Sequence, residues 1–198
     1  LFRTTSFKSI AYARSDTAAS YADIRMQCLL MSGPARSIGA GIDPFPGFHF
    51  GSYFLYPSSR GYIHLSSPDP RAMPAMRANY LEDETDLAKS IEAVKLARRL
   101  GQQPDMQPFI VRETRPGPDV TSDEAIKDFV LETGQTSWHP LGSCRMGTDK
   151  DAVVDPSLRV HGMAGLRVAD ASVIPFHTSS NTNVPSIMVG EKAADLIL

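Results

Sequence analysis

The stretch that most limits the fold is DETDLAKSIEAVKLARRL, residues 83–100. Leu87, Ile91, Val94 and Ala97 recur at helical spacing, acids crowd the first turn, Arg98 and Arg99 the last, and Gly101 follows as a stop. An amphipathic helix of this length needs a surface on which to lay its apolar stripe. Sheet-like sequence precedes it: His49 to Leu55 is aromatic-rich, PSSRG supplies turn chemistry, and Gly61 to Leu65 alternates apolar and polar, which together predict a hairpin. DPRAMP then reads as a turn leading out of that sheet. A second helix is predicted over 122–133, where Thr121 and Glu124 have capping-box spacing, Ile126, Phe129 and Val130 face inward, and Gly134 ends it. Later, Leu158 to Val160 and Leu166 to Ala169 form two short β-branched runs around a glycine turn. The last segment reads as helix from about Pro185, with Ile187, Met188, Ala194 and Ile197 as its apolar stripe. Strands are grouped rather than strictly alternating with helices, so the expected class is α+β, not a self-contained doubly wound sheet.

At 198 residues the chain suffices for one large or two small domains. A hydrophobic share of 42% with 21% charged residues is that of an ordinary globular protein. A formal charge of −2 leaves no electrostatic footprint for nucleic acid or anionic membrane. The one basic cluster, Lys95 to Arg99, reads as a solvated helix face. Two cysteines, Cys28 and Cys144, make neither a disulfide framework nor a metal-ligand spacing, and they leave the compartment open. No run of about 18 apolar residues is present to span a membrane. The opening LFRTTSFKSIAYAR lacks both the apolar core of a signal peptide and an initiator Met, as expected for a piece of a longer chain. Residues 1–48 give no clean period, and SGPARSIGAGIDPFPGF reads as loop.

Chemistry concentrates in TSWHPLGSCRMG, residues 136–147. His49 and His64 lie on the expected hairpin with a structural role favoured, His161 sits in the turn RVHGMAG, and His177 is ambiguous. His139 differs. Trp138 and Pro140 restrict its backbone, and Gly142 lets another group approach. An aromatic wall disfavours imidazolium and leaves a proton acceptor near neutral pH. A turn with a packed aromatic is the bland alternative, and local sequence does not decide between them. In SSNTNVP two asparagines precede a helix start, a place suited to negative charge, while N-capping by Asn183 is the simpler use. No GxSxG, P-loop, HExxH or GxGxxG motif is present.

WHPLGSCRMG, VVDPSLRVHGMAGLRVADASVIP and SSNTNVPSIMVGEKAADLI, in that order and spacing, resemble the C-terminal signature of the glucose–methanol–choline flavoprotein oxidoreductases. YPSSRGYIHLSSPDP and EDETDLAKSIEAVKLAR are similar to the same family's substrate-domain region. The resemblance covers about residues 50–198 and leaves 1–49 only loosely placed. It implies an antiparallel-sheet substrate domain with flanking helices over 1–138. Residues 139–198 would carry the catalytic His turn and the strand and helix portion of an FAD-binding Rossmann-like domain. That domain would be completed by an N-terminal part bearing the glycine-rich dinucleotide motif, either fused or as a separate chain.

The resemblance further implies FAD as cofactor and a small-molecule alcohol as substrate, oxidised to a carbonyl by hydride transfer to flavin N5. His139 falls on the family's base position. Asn181 falls on a second catalytic position that holds His or Asn in different members; an amide there orients the substrate oxygen and leaves His139 as sole base. Cofactor contacts are implied at Trp138, Asp170, Ala171, Asn183, Val184 and Pro185, the last three because the helix start would face the flavin N1–C2 edge. Two alternatives remain: a hydroxynitrile lyase on the same scaffold, and a non-catalytic chain that completes another subunit.

Overall fold

The computed structural model describes residues 7–33 and 41–198, and it divides into two compact units: Leu1–Ser58 with Leu81–Thr136, and Ser59–Tyr80 with Ser137–Leu198. The first unit is built on an antiparallel sheet ordered β1 (Phe7–Ala13), β2 (Ile24–Leu29), β3 (His49–Phe54). Helix α1 (Glu84–Gly101) packs on it, and α2 (Asp123–Thr133) packs on α1. In the second unit β4 (Tyr62–His64) pairs antiparallel with β5 (Ala75–Arg77), and α3 (Asn183–Ile197) closes the chain. Antiparallel sheets with helices segregated from them make the fold α+β.

The hairpin expected across residues 49–65 does not form. β3 pairs with β2, and β4 with β5, so the PSSRG turn links two different sheets. Strand β2 is central and buried on both faces. Ile24 and Met26 meet Ala93, Leu96, Ala97 and Leu100 of α1, and burying each large apolar side chain contributes about 1.5–3 kcal/mol. On the opposite face the Arg25 guanidinium lies 5.4 Å over the Tyr53 ring and donates to the Tyr53 hydroxyl. A buried polar knot fastens this sheet to α1. The Asp23 carboxylate accepts from Ser15 backbone N–H and hydroxyl, both at 2.7 Å, and Lys89 Nζ lies 3.3 Å away. Burial alone would push this carboxyl up, but the Ser15 hydrogen bonds and then Lys89 outweigh it and hold it below its usual value.

Asp83 caps α1 by accepting from Thr85 N–H at 2.8 Å. For α2 the cap is Ser122, accepting from Ala125 N–H at 3.2 Å, rather than the Thr121–Glu124 box. The runs at 158–160 and 166–169 meet through the isolated bridge Arg159 to Arg167, and Val160 bridges separately to Val154. Their core consists of Val154, Leu158, Val173, Ile174, Val189 and Ala193. Helix α3 therefore turns Val189 and Ala193 inward, while Ile187, Met188 and Ile197, expected to face the core, each expose more than half their surface. The sequence of α3 is apolar nearly all round, so periodicity alone did not select its buried face. Within the loop expected over 32–48, residues 34–40 lie outside the described residues, as do 1–6 of the opening segment.

Candidate active site

Every residue of the candidate site belongs to the second unit. Trp138 sits in the left-handed region (φ 57°), a costly conformation for a bulky residue, of order 1 kcal/mol or more. Its indole is 53% exposed, so within this chain it does not form a closed wall over His139. Pro140 biases His139 toward extended backbone, and Gly142 adopts φ 83°, open to glycine without strain. A Cβ at Gly142 would also stand 3.4 Å from the Ile174 carbonyl oxygen. Cys144 N–H donates to Ser172 O at 3.0 Å and Met146 N–H to Val173 O at 2.8 Å, tying the turn to the 3-10 turn at Ala171–Val173. Leu141 packs on the core beneath.

Half-buried His139 has a different partner on each ring nitrogen. Asn181 Nδ2 donates to Nε2 at 2.7 Å, and Thr182 Oγ1 lies 3.2 Å from Nδ1. An amide nitrogen only donates, so Nε2 is the accepting nitrogen and the neutral ring carries its proton on Nδ1. Two residues predicted from opposite ends of a 42-residue separation thus touch. Thr182, which sequence reasoning did not single out, completes the pair.

Thr182 is also the N-cap of α3, and its carbonyl accepts from Ser186 N–H at 2.9 Å. Asn183 is the first helical residue, not the cap, and the helix begins two residues before Pro185. The Thr182 side chain makes no capping hydrogen bond here. Asn183 and Val184 are exposed there, Val184 by 71%. Asp170 caps the 3-10 turn by accepting from Ser172 N–H at 2.7 Å, and the Ser172 hydrogen bonds hold its carboxyl below the usual range. It lies at the surface beside half-buried Ala171. His177 joins the site as a second imidazole. Burial, then the Arg60 cation, then His139, push it below its usual value. Arg60 comes from the segment that also carries β4, and its carbonyl accepts from Asn79 Nδ2 at 2.9 Å. Among the described residues no group of three or more His, Cys, Asp or Glu is placed to hold a metal, and no helix is long and apolar enough to cross a membrane.

Residues 57–190 match the GMC oxidoreductase C-terminal family model. The chain belongs to the GMC oxidoreductase family. An oxygen-dependent choline dehydrogenase of Pseudomonas syringae pv. tomato is 47% identical over 149 residues, 75% of this chain and 26% of that protein. Pyridoxine 4-oxidase from Mesorbium loti superposes with a TM-score of 0.84 at 29% identity, over 96% of this chain and 37% of its own. A variant of the Aspergillus oryzae RIB40 formate oxidase, solved to follow FAD modification, gives 0.78 at 27% identity, over 93% and 33%. The chain thus spans about a quarter of the length of the curated GMC relative.

Proposed function

We propose that this chain is the base-bearing part of an FAD-dependent GMC enzyme that oxidises a small alcohol to a carbonyl. The observation that carries the reading is the 2.7 Å hydrogen bond from Asn181 Nδ2 to His139 Nε2, which marks Nε2 as the unprotonated nitrogen. Choline and pyridoxine, named for two relatives, are both hydroxyl-bearing small molecules, and this supports the substrate class. Residues 139–198 all fall in one compact unit, which supports reading them as the segment that joins the FAD-binding domain. Residues 59–80 and 137–138 belong to that unit too, so of the expected 1–138 only 1–58 and 81–136 are read as the substrate-domain part.

The residues present fit the cofactor. The uncapped, exposed start of α3 at Asn183 and Val184 offers backbone N–H groups to an anionic edge. Pro185, the third helical residue, fixes the backbone of that turn without removing a bond the helix would otherwise make. Exposed Trp138, Val184, Ile187 and Met188 offer apolar surface to a flat ring, and the surface carboxylate of Asp170, beside Ala171, would accept from ribityl hydroxyls. When bound, FAD supplies the two-electron acceptor for the carbinol hydride.

The chain's own work is to move one proton and hold one oxygen. An incoming alcohol takes the place of the Asn181 amide at Nε2: its O–H bond breaks and an N–H bond forms on Nε2. The Asn181 N–H then turns to the alcohol oxygen, where it meets the negative charge that develops as the proton leaves. His177, held toward its neutral form, adds no cation beside the newly formed imidazolium.

Anaerobic mixing of the complete FAD-loaded enzyme with a panel of small alcohols tests the reading. Bleaching of the flavin absorbance with stoichiometric carbonyl product is expected. Release of carbonyl and cyanide from a cyanohydrin included in the panel, with the flavin still oxidised, would instead assign the scaffold to a lyase.

A further inference from the structure

Thr182 is spent in an unusual way for a helix cap. Threonine at this position normally caps by accepting from the backbone N–H of the second or third helical residue. Here the third residue is Pro185, which has no N–H, and the Thr182 side chain makes no capping bond. Its hydroxyl is instead 3.2 Å from His139 Nδ1, and the residue is 8% exposed. Because Asn181 donates to Nε2, Nδ1 is the protonated nitrogen and the hydroxyl is its acceptor. Adjacent residues of one loop therefore grip opposite sides of one imidazole.

We propose that Thr182 is a positioning residue, one that fixes His139 as the Nδ1–H tautomer and so keeps the Nε2 lone pair directed at Asn181 and the reacting hydroxyl. The proposal rests on the reading of His139 as the base. The proton path balances: the substrate O–H bond breaks, an N–H bond forms on Nε2, and the Nδ1–H stays in place, donated to Thr182 as the ring becomes cationic. Without the threonine hydroxyl the Nδ1–H loses its acceptor and the tautomer rests on the Asn181 amide alone. Once that amide turns away, neutral His139 can carry its proton on Nε2, where it has no lone pair to offer the alcohol. Pro185 contributes by default, since it removes one of the two backbone donors that would compete for the same hydroxyl.

The experiment uses the complete FAD-loaded enzyme with 15N-labelled histidine, as wild type, Thr182→Val and Thr182→Ser. Nitrogen chemical shifts should place the proton of neutral wild-type His139 on Nδ1. Thr182→Val should move part or all of that population to Nε2 and slow flavin reduction at saturating alcohol about 10- to 100-fold, with KM within about twofold of wild type. Thr182→Ser should restore both tautomer and rate. A wild-type ring protonated on Nε2 overturns the proposal, as does a Val variant in which tautomer and rate do not change together. Should Thr182→Val fail to accumulate as folded enzyme, the wild-type tautomer still decides. It is read without turnover, so failure of the base reading is seen separately, as wild-type flavin reduction in His139→Ala.

Discussion

His139 offers one unprotonated nitrogen, and the two residues that hold it have different costs of removal. His139→Ala in the complete enzyme should lower the rate of flavin reduction about 10²- to 10⁴-fold with FAD content unchanged, the range for loss of a general base. Stopped-flow absorbance checks it, and near-wild-type reduction would remove His139 from the chemistry. Asn181 lies just outside the helix, one residue before its cap, so its loss should not register as a capping defect. Asn181→Ala should slow hydride transfer about 10- to 1000-fold through misplacement of the alcohol oxygen. A variant that loses only thermal stability would make Asn181 a loop residue and nothing more. His177 titrates below its unfolded value, so between its folded and unfolded pKa the unfolded chain binds the extra proton and stability falls as pH drops. His177→Gln should flatten the decline of melting temperature below about pH 6.5, the unfolded value for histidine. At this scale the sequence singled out His139 and Asn181, and the structure brings their side chains into contact. It was silent on Thr182 because the donor set of a hydroxyl depends on what its helix withholds; the clue was a cap-type residue three positions before a proline.

Elements were readable in proportion to how uniform their surroundings are. Helix α1 is amphipathic along its length, and its start follows from the acids of its first turn, whereas it runs through Gly101, expected as the stop, to a C-cap at Gln102. Strand β2 was harder. Five residues from Ile24 to Cys28 alternate apolar and polar, but the run Leu29 to Met31 beside them erases the period over a longer window. The failed hairpin has a similar cause: alternation and turn residues say that two strands exist, and only non-local pairing says with whom. The Asp23 knot links these elements, because Asp23 and Ser15 flank the sheet strands while Lys89 stands on α1. Asp23→Ala leaves the Lys89 ammonium without its buried carboxylate partner. Asp16 at 3.7 Å softens the loss, so the cost should fall at or below the lower end of about 3–5 kcal/mol. Thermal unfolding of the complete enzyme reads it, and an unchanged melting temperature would show the knot to be idle. Because the folded Asp23 pKa is depressed, this contribution is present above the unfolded value and is lost as pH falls through the folded one.

Across the whole molecule, apolar surface is left open on α3 and around the catalytic turn. Val184, Ile187, Met188, Ile197 and Trp138 all expose more than half their area. Scattered apolar residues are normal on a surface, but several on one helix mark a docking face. Expressed alone, the chain should bind a hydrophobic dye, aggregate, and carry no FAD. A soluble monomer that unfolds cooperatively would show that the face needs no cover. One further property comes from the exposed indole of Trp138. It is the chain's only tryptophan and it adjoins His139, so the indole emission of these 198 residues arises at a single informative point. In water that emission lies at the red end of the indole range. Covered by apolar surface it moves to the blue, and a nearby yellow chromophore drains it by energy transfer. The chain therefore carries its own optical gauge of docking and cofactor arrival, without a label and without turnover.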